Sequence, residues 1–223
     1  MPEAVAGTFT QIPASTAFSA LYARVQNYVL SPSDTDAVSL AKEGINEAID
    51  RLNTRNWNWA RVASSITLTA GTQEYALNGA FRAPRMAELL GTSGEVQDRL
   101  MYLAPTEFSD LFPFRNITGT PSSYTIFDEF DNGKLTLDVT PSSSYVGIYP
   151  TLRFRYYKRV PKLAADADVF YGPTEAESFL VWYGRATIAA HWSPERIGFA
   201  NQRQQEFWNM LLRSDSRQDT TGF

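Results

Sequence analysis

Apolar positions along the chain follow two periods: helical spacing towards both ends and alternation in the middle. Phe18, Leu21, Tyr22, Val25, Tyr28 and Val29 predict a first helix, which Ser31-Pro32 stops. A second opens at Ser33 with Asp36 three residues on, a capping-box pattern, and carries Val38, Ala41, Ile45, Ala48, Ile49 and Leu52 as one stripe. The short connection between them favours an antiparallel pair. After Asn56-Trp57-Asn58-Trp59 the period shifts to two. Ile66 and Leu68 alternate with Thr67 and Thr69, and a turn at Ala70-Gly71-Thr72 leads to Tyr75 and Leu77. Arg85–Leu90 and Leu100–Leu103 read as strands around a polar loop from Gly91 to Asp98. Pro105 starts a short helix that ends before Pro113. Tyr124–Phe127, Leu135–Val139 and Leu152–Tyr157 are further strands, the first two joined by the turn Asp131-Asn132-Gly133. In the last, Leu152, Phe154 and Tyr156 share one face and Arg153, Arg155 and Tyr157 the other.

Helical spacing returns at Thr174, with Glu177 in the capping position. Ala176, Phe179, Leu180, Tyr183 and Ala190 mark one face of this helix, and Val181, Ile188 and Trp192 another. A helix apolar on several sides is covered on several sides. The β module or a neighbouring subunit is the expected second cover, which makes Val181 and Ile188 candidate subunit contacts. Ser193-Pro194 resets the register, and a fourth helix runs to about Arg213. The expected class is α+β: an antiparallel bundle of about four helices drawn from both ends of the chain. It carries an inserted antiparallel β module, sandwich- or barrel-like, with one short helix. The bundle takes residues 15–60 and 172–213, and the module residues 61–171. Residues 1–14 and 214–223 are expected to be a flexible arm and tail. Trp57 and Trp59 stand where the two modules join and are expected to wedge them together.

Composition narrows the function. With 43% hydrophobic and 20% charged residues, a chain of 223 can bury a sizeable core. No run of about 18 apolar residues occurs, so no membrane span is expected. The absence of cysteine excludes disulfides and thiolate metal sites. A net charge of −4 does not favour gripping nucleic acid. His191 is the only histidine and reads as a packed or hydrogen-bonded side chain. The acidic stretch from Asp128 to Gly133 lacks the ligand spacing of a calcium loop and reads as a solvated turn. Gly91-Thr92-Ser93-Gly94 matches no phosphate-binding fingerprint, and no serine sits in a nucleophile elbow. No catalytic, cofactor-binding or metal residue is therefore expected, no cofactor, and no enzymatic activity. The basic run Arg153, Arg155, Lys158 and Arg159 reads either as a solvated strand face or as a surface for an acidic partner. Arg153 and Arg155 accordingly join the candidate subunit contacts.

The ordered segments W-N-W-A-R, T-L-T-A-G-T-Q-E-Y-A-L, A-P-T-E-F-S-D-L-F-P, G-T-P-S-S-Y-T-I and L-R-F-R-Y-Y-K-R-V-P carry a family likeness. Over residues 35–165 the chain resembles the head-to-tail adaptors, or connectors, of tailed bacteriophages, and among these the podophage tail tubular protein A class. The resemblance implies a dodecameric ring under the portal protein, in the neck of a virion assembled in the host cytoplasm. Such a ring extends the channel through which double-stranded DNA passes without sequence-specific binding, and it presents a platform to the tail nozzle or tube. It further implies that the C-terminal segment docks on the portal, with Arg213, Arg217 and Phe223 at the contact. A tail-tube, tail-terminator or nozzle component is the nearest alternative. A carbohydrate-binding or carbohydrate-processing protein, using strand aromatics for sugar stacking, is the alternative of another class.

Overall fold

The computed structural model describes residues 14–28, 35–77, 81–113, 117–127 and 133–219. The chain divides into two compact units, Met1–Trp59 with Val160–Phe223, and Ala60–Arg159. The first contains β1 (Ala14–Ala17), α1 (Phe18–Gln26) and α2 (Thr35–Leu52) from the first half of the chain. The second unit runs through β2 (Arg61–Thr67), β3 (Glu74–Ala76), β4 (Phe81–Leu90), β5 (Val96–Tyr102), α3 (Pro105–Leu111), β6 (Thr118–Gly119) and β7 (Ser123–Phe127). It continues with β8 (Lys134–Leu137), β9 (Thr140–Pro141), α4 (Ser143–Ile148) and β10 (Thr151–Lys158). The chain then returns to the first unit with β11 (Val169–Gly172), α5 (Thr174–Trp192) and α6 (Ile197–Asp219).

The expected helical bundle with a small antiparallel insert is not what forms. The protein is a mixed α/β structure whose largest element is a seven-stranded sheet, in the order β2-β10-β4-β5-β7-β8-β3. Six helices are found among the described residues. The sheet is not purely antiparallel, because β5 and β7 run parallel, Met101 opposite Ser123 and Tyr102 opposite Tyr124. The physical reason is α3, which lies between them in sequence as a crossover, and a crossover returns the chain in the same direction. β6 and β9 form a second parallel pair, and β1 pairs antiparallel with β11 inside the helical unit. β1, β6 and β9 are so short and so poor in large apolar residues that they leave no hydrophobic alternation to read.

The seven-stranded sheet curls around its own core. Leu152, Phe154 and Tyr156 from β10 meet Phe81, Ala87 and Leu89 from β4, Tyr124 and Ile126 from β7, and Leu135 and Leu137 from β8. Phe81 stacks on Phe154 with ring centroids 6.1 Å apart, and Tyr124 meets Phe154 edge-on. The curl brings the two edge strands to one cleft of about 350 Å³, lined by Ser64, Ser65 and Ile66 of β2 and by Glu74 to Leu77 around β3. On the other side of β7, Phe108 of α3 is fully buried against Phe112 and Phe127.

In the helical unit α5 is central and packs against α1, α2 and α6. Two glycines let backbones approach. A Cβ at Gly44 of α2 would stand 2.8 Å from Thr187 Oγ1 and 3.0 Å from Gly184 Cα, and one at Gly184 would meet Val25 and Ile45. The segment returning from the β unit is strapped to α2. Asn53 pairs with both the N–H and the carbonyl of Val160, and Asn46 with those of Leu163. Trp57 packs edge-on against Trp208 and stacks with Trp59, so both junction tryptophans have partners inside this unit. The fourth helix runs past Arg213 to Asp219. Asp215 accepts the Asn58 N–H at 2.6 Å, which ties this part of the helix to the segment before β2.

Candidate interaction surfaces

The outer face of the seven-stranded sheet carries one buried carboxylate under three arginines. Pairing places Glu88 of β4 opposite Arg153 of β10 on one side and Arg99 of β5 on the other. The Glu88 side chain is only 4% exposed, with its Oε2 2.8 Å from Arg153 Nε and 3.2 Å from Arg155 Nε. Arg99 reaches the other oxygen at 3.8 Å. One carboxylate against three guanidiniums leaves the cluster positive. It also holds the Arg153 and Arg155 forks in place, which lowers the entropy lost when they meet a partner. Beside them on β2, Ala63 and Ser65 are small and exposed and leave the face open.

The helical unit carries a second concentration of arginine, layered with aromatic rings. Arg185 of α5 stacks 4.4 Å from the centroid of Trp182 and 5.4 Å from that of Tyr28, while its Nε and Nη2 donate to the Arg24 carbonyl. Arg203 of α6 covers Trp182 and Phe207, and Arg196 covers Tyr28 while donating to its carbonyl at 2.6 Å. Phe199 meets Trp182 edge-on and remains 55% exposed. Burial, and then the charge of nearby Arg24, push the Arg185 guanidinium below its usual pKa. Arg24 itself is tied to Glu177, which also accepts a hydrogen bond from Thr16 at 2.7 Å.

The residues singled out from sequence are dispersed. Arg153 and Arg155 share the Glu88 cluster. Val181 and Ile188 are buried within the helical unit, on a helix that α1, α2 and α6 already cover. Arg213 is exposed on α6, Arg217 lies in the same helix, and Phe223 lies outside the described residues, as do residues 1–13 and most of the acidic turn. His191 is exposed, with Nδ1 3.2 Å from the Thr187 carbonyl. Among the described residues no group of three or more His, Cys, Asp or Glu side chains is arranged to hold a metal ion. Sequence reasoning missed Glu88, although a lone acid within the apolar run Met86 to Leu90 was a usable signal. It also missed Arg185, three residues after Trp182, and Arg203, four residues before Phe207, spacings that set a ring beneath each guanidinium.

Surfaces of this composition, rich in arginine and aromatics, are what protein interfaces favour, and the class of the protein is that of the bacteriophage adaptors. A family model described as SU10 adaptor protein matches residues 16–222, and the chain belongs to that family. No curated protein matches it. As a phage adaptor it is a structural component of the virion. No helix among the described residues is long and apolar enough to cross a membrane.

Proposed function

We propose that the chain is a head-to-tail adaptor that assembles as a homo-oligomeric ring, a dodecamer, beneath the portal. There it extends the DNA channel and carries the platform on which the tail nozzle or tube is built. The observation that carries this reading is family membership across residues 16–222. The podophage tail tubular protein A type is the finer assignment within it. The role is mechanical rather than enzymatic, and no cofactor is required. A net charge of −4 per copy, multiplied around a ring, suits a wall along which DNA slides without being gripped. The portal contact falls to the C-terminal end of α6 and beyond, with Arg213, Arg217 and Phe223 as its residues. Family membership favours this reading over a tail-tube or terminator role and over carbohydrate binding. Mass measurement of the chain reconstituted with its portal tests it: a stoichiometric ring supports the reading, and a portal that retains no adaptor ring rejects it.

A further inference from the structure

The helical unit presents opposite chemistry on opposite sides. On α2, Asp36, Glu43, Glu47 and Asp50 are all exposed, Asp50 pairing with Lys162 at 2.8 Å, and their separations of seven, four and three residues keep them within one narrow face. The buried stripe of α2, with Ala41, Gly44, Ile45 and Ala48, faces α5, so Asp36, Glu43 and Asp50 look away from it, while Glu47 stands at the rim of a cleft with Tyr183 and Thr187. Trp182 on α5 lies about 160° round the helix from Gly184, where α5 receives α2. The arginine–aromatic surface built on Trp182 therefore lies on the far side, between Tyr28 and α6.

That surface is made as interface centres are made. Trp182, Phe199, Arg185 and Arg203 are of the residue types that dominate binding hot spots, and exposed Met210 continues the flank of Phe199 along α6. The rings lie 4.4–5.7 Å from the guanidinium carbons and restrict them, so less freedom remains to be lost on docking. Positive charge is crowded there, because Arg185 is packed next to Arg24 and bonds to its carbonyl, even though Arg24 pairs with Glu177 and Arg203 with Glu206 at 2.6 Å. An acidic helix face relieves this, and the chain itself carries one on its opposite side.

We infer that the α2 acidic face of one copy docks on the Trp182–Arg185–Phe199–Arg203 surface of the next, as the head-to-tail contact between neighbouring subunits. Two different, complementary faces on opposite sides of one unit generate a ring when the rotation closes, whereas a two-fold dimer needs a single self-complementary face. The inference rests on the ring reading above and supplies its contact.

Charge reversal on the portal-bound adaptor tests it, using Glu43→Lys with Glu47→Lys on one side and Phe199→Asp with Arg203→Glu on the other. Each double variant is expected to remain folded by circular dichroism while ring yield on the portal falls at least about tenfold, because like charges are then opposed. All four changes in one chain are expected to restore the ring. A second readout uses the cysteine-free background: Glu43→Cys combined with Arg203→Cys, treated with a short bis-maleimide, is expected to give a ladder of multimers, and each single variant none. Full rings from both reversed variants, or no ladder from necks that hold a ring, overturn this contact and leave the ring reading intact. A wild-type chain that forms no ring overturns both.

Discussion

Asn46 holds Leu163 by both polar groups of its backbone: its Oδ1 accepts the Leu163 N–H at 2.9 Å, and its Nδ2 donates to the Leu163 carbonyl at 2.9 Å. Seven residues on, just past the end of α2, Asn53 does the same for Val160. Each such bond contributes about 0.5–1.5 kcal/mol net, so Asn46→Ala is expected to destabilise the protein by about 1–3 kcal/mol. Denaturant unfolding checks this. Asn46→Asp, which keeps the acceptor and loses the donor, should fall between the wild type and the alanine variant.

Glu88 and Arg99 should behave very differently although they touch. Glu88 is buried and meets Arg153 at 2.8 Å, while Arg99 is 66% exposed and stands 3.8 Å away. Arg99→Ala is expected to cost no more than about 1 kcal/mol, the usual worth of a screened surface pair. Glu88→Ala is expected to cost about 1–3 kcal/mol, because it leaves hydrogen-bonded guanidiniums packed together without their anion. Urea unfolding of the two variants in the same buffer separates them.

Thr125 and Thr136 face each other across β7 and β8, are fully buried, and have hydroxyls without a hydrogen-bond partner. Valine has the same shape and no polar group to desolvate. Thr136→Val is therefore expected to be neutral or to stabilise by about 1 kcal/mol, against the usual direction for core substitutions. A lower melting temperature would show that the hydroxyl is satisfied after all.

Two aspartates near β11, exposed Asp166 and half-buried Asp168, give the helical unit a specific acid sensitivity. Asp168 accepts the Ala164 and Ala165 N–H groups at 2.7 and 2.8 Å, and these bonds hold its carboxyl below the ordinary value near 3.8. The bond from Lys42 at 2.7 Å lowers Asp166 in the same way, and that contact raises Lys42. A depressed carboxylate stabilises the fold above its unfolded pKa, and that contribution is lost as pH falls through the folded value. The Lys42 contribution has the opposite sign, present below its ordinary value near 10.5 and lost as pH rises past the folded one. Stability attributable to Asp168 should thus be constant from pH 5 to 7 and decline below about pH 4. Asp168→Asn should flatten that decline in urea titrations across pH.

Asp215 ties the late part of α6 to the segment before β2, through the Asn58 N–H at 2.6 Å and the Asn58 amide, which donates to the Asp215 carbonyl at 3.0 Å. Removing Ser214–Phe223 is expected to lower the melting temperature, and Asp215→Ala to reproduce much of that loss. Portal attachment should fall in the truncated protein and persist in the point variant. Calorimetry and portal pull-down together check both halves.

How much of this was legible depends on whether a residue's period carried its partner. Leu152, Phe154 and Tyr156 alternate with Arg153 and Arg155, and the structure buries the first set and leaves the second half-exposed. The helical stripes of α1, α2 and α5 were equally readable, because their apolar spacing is set by local geometry. Strand order was not, since alternation says which face is inside and nothing about the neighbour. The parallel β5–β7 pair followed from α3 acting as a crossover, where the pattern of short strands and turns suggested antiparallel neighbours. β1 and α4 were hidden in Ala-Ser-Thr and Ser-Ser-Ser stretches that read as loop. The surfaces were least legible. Glu88 meets Arg153 across 65 residues of sequence, and Arg185 meets the Arg24 carbonyl across 161, distances at which spacing has nothing to say.

The ring beneath the portal is tested most directly by imaging necks of assembled particles and counting copies of this chain around the channel axis. The expected result is a closed ring of twelve adaptor copies in contact with the portal, as proposed from the family resemblance. Necks that contain the chain as isolated copies, or that place it away from the portal, would contradict it.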